Sequence, residues 1–378
     1  MKLLLVNNDK GWGGGQEHLL DLAGELREHR VDVRFVVREG SPSQERFGDL
    51  GYTVYPMPHH GANDLKALVR LASVMNRERF DLISINREHD ILLTVMARYL
   101  AFPWACPGKL LMSFHIGVAR RQPFLGIMDA LICVSEHVRS TLLTRYPHLA
   151  SKAHVLHHGI RLPQAPGPEK FSPDRVRRHF SGVGFPLIGM VGAFWKNQGE
   201  LVECIPLLRQ AFPGIKVAFV GDNTEWPLVD PLMDRIRALG VEEQVIFTGK
   251  LSRERIPDVF FDFDLSVTTH RNEGFGIVHL ESLAAGTPVV CYNVGGMVDI
   301  FRVEDVGVMV DGGPAEFAAA VIELLRDDMR RFALGQRGYE LVRRSYSVQA
   351  MGERYFRFYR QILASEPVSP CPGGASNE

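Results

Sequence analysis

The chain has 378 residues, 46% hydrophobic and 23% charged, with 36 Gly and 22 Pro. At roughly 150 residues per domain this points to two domains, and the proportions exclude a disordered, collagen-like or coiled-coil chain. A net charge of −1 excludes a protein that works by broad attraction to nucleic acid.

Short apolar runs alternate with helical patterns along the whole chain, which is the signature of βαβ units and parallel sheets. Lys2–Asn7 predicts a buried strand and Gly11–Gly15 a loop. Gln16–His29 predicts a helix carrying Leu19, Leu20, Leu22, Ala23 and Leu26 on one face. Further strands are expected at Val31–Val37, Thr53–Pro56, Leu82–Ile85, Leu110–Phe114 and Ala130–Val134, then a helix at Glu136–Tyr146 and a closing strand at Val155–His157. The apolar stretch Ile91–Cys106 is broken by Arg98 and Pro103 and is too short to cross a bilayer, which needs ~20 residues. The run after Met1 is too short for a secretion signal, so a cytoplasmic protein is expected.

Pro163–Pro168 reads as a linker between domains. After it come strands at Leu187–Val191, Lys216–Val220, Val245–Phe247, Leu265–Thr268, Pro288–Cys291 and Gly307–Val310. Helices are predicted at Gly199–Phe212, Leu228–Leu239 and from Gly276 to Ala285. The expected layout is a first Rossmann-like domain over 1–163, a second over 164–345, a helix over 346–364 that returns to the first domain, and a disordered tail from 365. The five cysteines (Cys106, Cys133, Cys204, Cys291, Cys371) stand far apart and exclude a disulfide framework or a zinc knuckle.

Chemistry is densest from Thr269 to Val290. Gly274 and Gly276 at a helix start let backbone amides approach a ligand, and the helix dipole favours an anion such as a diphosphate. Glu273 and Glu281 bracket that start, and eight residues at helical rise place them roughly 12 Å apart. One carboxylate then suits a sugar hydroxyl and the other a ribose diol, with phosphates between.

This segment, with Gly286-Thr-Pro288-Val-Val290 and Val294-Gly-Gly-Met-Val-Asp299 after it, resembles the E-x7-E signature of retaining family 4 glycosyltransferases. Met190-Val-Gly192, Phe219-Val-Gly-Asp222, Thr248-Gly-Lys-Leu251, Gly13-Gly-Gly-Gln-Glu17, Val134-Ser-Glu136 and His157-His-Gly-Ile160 extend the resemblance over about 1–363. It implies an α/β GT-B fold of two facing Rossmann-like domains with an interdomain cleft. It also implies a metal-independent enzyme moving a sugar from a UDP- or GDP-linked donor to a glycan, lipid or small-molecule acceptor, with no cofactor. Residue by residue, Glu281 would hold the ribose, Glu273 the donor sugar, and Gly274, Phe275 and Gly276 the sugar or its phosphate. Lys250 and Leu251 lie where the base is met, Gly14 and Gly15 on the donor or acceptor loop, and His115 where a histidine reaches the transferring sugar.

One departure concerns the phosphates. The family's V-G-R-x-x-x-x-K-G clamp reads Val191 to Gly199 here, with Ala193 at the Arg position and Gln198 at the Lys position. A departing diphosphate needs donors or cations, so Lys196, two residues from its expected place, and Arg271 are the candidate replacements, with Trp195 anchoring the loop. The pairs His59-His60 and His157-His158 have no acidic or Cys partner at ligand spacing and read as polar loop residues, not metal ligands. The basic segment 101–163, including Arg120 and Arg121, suits an acceptor or an anionic membrane surface. A hydrolysing nucleotide-sugar epimerase of the same fold and a non-catalytic sugar-nucleotide-binding protein are the alternatives.

Overall fold

A computed structural model describes residues 1–58, 64–102, 108–118, 120–171, 175–222 and 229–364. The tail from 365, His59-His60, Trp104, Cys106 and Cys371 lie outside the described residues. The chain forms two compact units: Met1–Gly159 joined by the helix Val348–Ala364, and Ile160–Ser347. By this division Pro163–Pro168 belongs to the second unit.

The first unit runs β1 (Lys2–Asn7), α1 (Gly14–Glu28), β2 (Asp32–Arg38), α2 (Pro42–Asp49), β3 (Thr53–Met57), α3 (Leu65–Glu78), β4 (Leu82–Ile85), α4 (Ile91–Ala101), β5 (Lys109–Phe114), β6 (Ala130–Cys133), α5 (Glu136–Arg145) and β7 (Ala153–Val155). Its seven strands are parallel, in the order β3-β2-β1-β4-β5-β6-β7. The central strands are near-continuous Leu, Ile and Val because helices cover both faces. The expected strand Val155–His157 is corrected to β7, two residues earlier, where Ala153, His154 and Val155 pair with Leu131, Ile132 and Cys133. The stretch starting at Ile91 is a helix whose Ile91, Leu93, Thr94, Val95, Ala97 and Arg98 are buried, so it shows too little polar face for periodicity to reveal it.

The second unit runs β8 (Leu187–Val191), α6 (Gln198–Ala211), β9 (Lys216–Val220), α7 (Val229–Leu239), β10 (Val245–Phe247), α8 (Ile256–Asp262), β11 (Leu265–Thr268), α9 (Ile277–Ala284), β12 (Val289–Tyr292), α10 (Val298–Val303), β13 (Gly307–Val310), α11 (Pro314–Arg326) and α12 (Asp328–Ser345). Its parallel sheet has the order β10-β9-β8-β11-β12-β13. That is the doubly wound Rossmann arrangement, in which strand order reverses between β8 and β11 and a ligand crevice opens at their carboxyl ends.

The last helix, α13 (Val348–Ala364), buries Val348, Met351, Tyr355, Phe358, Tyr359 and Ile362 in the first unit's core beside Leu19, Leu22 and Leu26 of α1. Gly352 permits the approach: a Cβ there would stand 2.3 Å from the Cβ of Glu25. Cys133, Cys204 and Cys291 are buried free thiols.

Candidate active site

Two loops leave the switch point of the second unit, one after β8 and one after β11. The first turns at Gly192 (φ +149°), and Gly221 lets it pass, since a Cβ on Gly221 would lie 2.2 Å from the Gly192 carbonyl oxygen. Phe194 buries its ring beside Phe219 and Phe247 and anchors the loop, whereas Trp195 is 48% exposed and meets His270 edge-on at 5.2 Å. The expectation that Trp195 is the anchor is therefore corrected to Phe194. Gln198 Nε2 donates to the Ala193 carbonyl at 2.7 Å and closes its own loop. Thr269 Oγ1 donates to the Asn197 carbonyl at 2.7 Å, and Asn197 Nδ2 donates to the Thr269 carbonyl at 3.2 Å, so the first loop is pinned to the end of β11.

That pinning brings Lys196 Nζ to Glu273 Oε2, a charge-assisted hydrogen bond of 2.7 Å between side chains 17% and 19% exposed. Two residues expected to serve different parts of the donor thus meet. Burial pushes the Glu273 carboxyl up. The charge and hydrogen bond of Lys196, with His279 and His270, outweigh it and hold the pKa below the usual carboxylate value.

The backbone at Glu273 is equally fixed. Gly296 N–H donates to the Glu273 carbonyl at 2.8 Å, and Gly295 (φ +78°) admits this turn because a Cβ would come 2.8 Å from that oxygen. Gly276 (φ +93°) caps α9, which begins only at Ile277. The separation of roughly 12 Å drawn from a continuous helix is therefore withdrawn: Glu281 is on the helix, and Glu273 is in the turn before it. Phe275 is buried, its ring 6.0 Å from that of Tyr346. Glu281 faces Arg253, whose Nη2 is 3.6 Å from Oε1, and burial pushes its pKa up against that pull. Gly338 supports α9 from behind, since a Cβ there would press within 2.6 Å of Leu283.

Arg271 is elsewhere engaged. Its guanidinium reaches Glu200 at 3.2 Å and the Gly312 carbonyl at 2.9 Å, and lies 3.6 Å from the Tyr292 ring centre. Lys250 and Leu251 follow β10, two strands away from β8, with Lys250 exposed and Leu251 half-buried.

In the first unit, Gly14 and Gly15 open α1. Added Cβ atoms at either would meet nothing within 4 Å, so packing does not demand glycine there. Gln16 ties the loop by accepting from Gly13 N–H at 3.0 Å and donating to Asp9 at 3.0 Å. His115 follows β5. Its Nδ1 lies 3.3 Å from His158 Nε2, and His18 of α1 packs edge-on to His158 with centroids 3.8 Å apart. The reading of His157-His158 as polar loop residues with no acidic or Cys partner is corrected for His158 in its burial alone, since it is 4% exposed. Its partners are imidazoles 140 and 43 positions earlier in the chain, beyond any local spacing rule.

The family model for glycosyl transferases group 1 matches residues 176–341, and that for glycosyltransferase family 4 matches residues 12–163. This chain belongs to the family 4, group 1 glycosyltransferases. A phosphatidyl-myo-inositol mannosyltransferase of Mycobacterium leprae is 26% identical over 93% of this chain and 94% of its own. A GDP-mannose-dependent α-(1-6)-phosphatidylinositol monomannoside mannosyltransferase of Mycolicibacterium smegmatis is 27% identical over 89% and 92%. Among solved structures, HepE of Anabaena in complex with UDP superposes with a TM-score of 0.79 at 19% identity, over 96% of this chain and 100% of that one. The fold is GT-B, and the enzyme is a glycosyltransferase that uses a nucleotide sugar.

Sequence reading of the glycosyltransferase missed His279. It is buried beside Glu273 on the first turn of α9, its pKa is pushed down to about 4 by burial, and neither ring nitrogen has a hydrogen-bond partner among the described residues. A lone His in an apolar helix carries no signal of its own. The basic segment is largely spent inside the first unit: Lys109 pairs with Asp129, Arg139 with Glu136, Arg145 binds the Val118 carbonyl, and Lys152 those of Gly126 and Met128. Among the described residues no helix is long and apolar enough to cross a membrane.

Proposed function

We propose that this glycosyltransferase moves a hexosyl group from a UDP- or GDP-linked donor to an acceptor hydroxyl, with retention at the anomeric carbon and without a metal ion. The observation that carries the reading is the Lys196–Glu273 pair at the switch point of the nucleotide-binding sheet. In the free enzyme the two charges hold each other. When donor enters, the Lys196 ammonium serves the distal phosphate, and the Glu273 carboxylate accepts from sugar hydroxyls.

The bond from the anomeric carbon to the diphosphate oxygen breaks, and the acceptor oxygen bonds that carbon on the same face. The acceptor proton passes to the departing phosphate oxygen, so no protein nucleophile is consumed. Lys196 and the amides of Gly274, Phe275 and Gly276 spread the developing charge, which is electrostatic stabilisation of the kind that dominates such transfers. Glu281 holds the ribose hydroxyls, Lys250 and Leu251 meet the base, and Arg271 supplies a second, more distant cation. By the family resemblance His115, Gly14 and Gly15 of the first unit are assigned to the sugar and to the donor or acceptor.

The acceptor is a glycan, a lipid-linked polyol or a small polyol. The phosphatidylinositol acceptors named for the mycobacterial relatives support a lipid headgroup. The exposed Arg120 and Arg121 suit peripheral contact with an anionic leaflet on the cytoplasmic side.

The test is NMR product analysis with ¹³C-labelled UDP- and GDP-sugars, a panel of inositol-lipid, glycan and polyol acceptors, and EDTA throughout. A glycoside with the donor's anomeric configuration is expected, at a rate EDTA does not lower. An inverted product overturns retention, loss of rate with EDTA overturns metal independence, and free epimerised sugar assigns the chain to hydrolysing epimerisation.

A further inference from the structure

We propose that His18, His115 and His158 form a three-imidazole site for a zinc-class divalent metal ion in the first unit, separate from the nucleotide-binding sheet. One ligand atom from each of the three side chains can be chosen so that all lie within 4.8 Å of one another. A tetrahedral zinc ion with Zn–N of about 2.0–2.1 Å holds neighbouring ligand nitrogens roughly 3.3 Å apart. His115 Nδ1 and His158 Nε2 stand 3.3 Å apart already. The three residues come from α1, the end of β5 and the loop after β7, so the sheet and its covering helix hold them in place independently.

Chemistry agrees with geometry. Imidazole ligands suit zinc, copper and nickel, and they bind only as neutral rings. His115 Nδ1 and His158 Nε2 face each other as hydrogen-bond partners, so a bound metal would take the place of the proton between them. Two positive charges bear on the cluster, Arg87 on His115 and Arg354 on His158, and Arg87 is paired with Asp9. His18 Nδ1 is buried without a hydrogen-bond partner among the described residues, an unfavourable state that a metal or a metal-bound water would relieve. Three protein ligands leave a fourth position for water or a substrate oxygen.

Metal binding itself does not depend on the transferase reading. If His115 also reaches the donor sugar, occupation withdraws it, so zinc inhibits transfer.

The experiment uses the full chain, stripped with chelator and titrated with Co²⁺ and with Zn²⁺ against a chromophoric competitor. One equivalent of Co²⁺ giving intense tetrahedral visible bands is expected, with zinc-edge X-ray absorption showing three imidazoles. His18→Gln and His158→Gln should each lower metal affinity by more than about 100-fold, while His157→Gln leaves it unchanged. Circular dichroism and nucleoside-diphosphate binding by the second unit check that the variants are folded, and the wild-type absorption spectrum stands whether or not they are. Fewer than three imidazoles at the zinc edge, or wild-type affinity retained in folded His18→Gln, overturns the site. Zinc inhibition that vanishes in His18→Gln adds the functional consequence; zinc bound without inhibition removes His115 from the transfer while leaving the site standing.

Discussion

Both units gather ionisable side chains at the carboxyl ends of parallel strands, and they handle them in opposite ways. At the switch point of the second unit, Lys196 and Glu273 meet as opposite charges, and the pairing holds the carboxyl ionised against burial. In the first unit, His115 and His158 stack, His18 meets both edge-on, and burial pushes all three pKa values down. The difference is one of purpose. Under the proposed function the Lys196–Glu273 pair keeps a cation ready for a diphosphate, whereas the proposed metal site offers neutral rings to a ligand that brings its own charge.

The comparison breaks most sharply at Lys196. Lys196→Ala is expected to lower kcat 10²–10³-fold, about 2.7–4 kcal/mol of barrier. It should also destabilise the protein by removing the cation that faces half-buried Glu273. Glu273→Gln should reduce turnover far more than nucleoside diphosphate affinity. Steady-state kinetics beside calorimetric titration decide both, and equal losses in the two quantities for Glu273→Gln would move it out of the sugar pocket.

Acid sharpens the contrast. An unfolded imidazole binds its proton near pH 6.5, whereas buried His115 and His279 wait until about 4. Between those values the unfolded chain holds more protons. The stability from neutral burial is therefore complete above pH 6.5 and is lost as pH falls towards 4. For His279 alone the loss approaches roughly 3 kcal/mol. With three such rings in one cluster, hydrogen exchange at pH 5 should rise more in α1 and β5 than in α9 and β11. The reverse order would show that the cluster is solvated.

Smaller effects test the remaining roles. Glu281→Ala should weaken nucleoside diphosphate binding by about 1.5–3 kcal/mol, the worth of charge-assisted bonds to ribose; unchanged affinity removes the ribose assignment. Arg271→Ala should cost about 1 kcal/mol or less in stability, because its pair with Glu200 is exposed, and it should slow turnover less than Lys196→Ala. If Arg271→Ala is the slower variant, the phosphate cation is Arg271 and Lys196 serves Glu273 alone.

Strands were the most legible part of the fold. Lys2–Asn7, Leu82–Ile85, Leu187–Val191, Lys216–Val220, Val245–Phe247, Leu265–Thr268 and Gly307–Val310 are each read to the residue, because a parallel strand covered on both faces must be a short apolar run between turn residues. Helices α2, α3, α4, α8 and α10–α12 escaped: α4 shows too little polar face, and short or surface helices owe their stability to packing on the sheet more than to their own pattern.

The sequence by itself determined that this chain is two parallel α/β sheets and that Glu273 and Gly276 precede a helix carrying Glu281, since alternation and glycine placement are local properties. Only the tertiary structure decided who neutralises whom. Lys196 meets Glu273 across 77 residues because Gly192, Gly221 and Thr269 fold one loop onto the next strand. His18, His115 and His158 meet because the start of α1, the end of β5 and the loop after β7 come to one place. Coulombic and metal-ligand chemistry depend on distances of a few ångströms, and positions far apart in the chain acquire such distances only when the sheet closes around them.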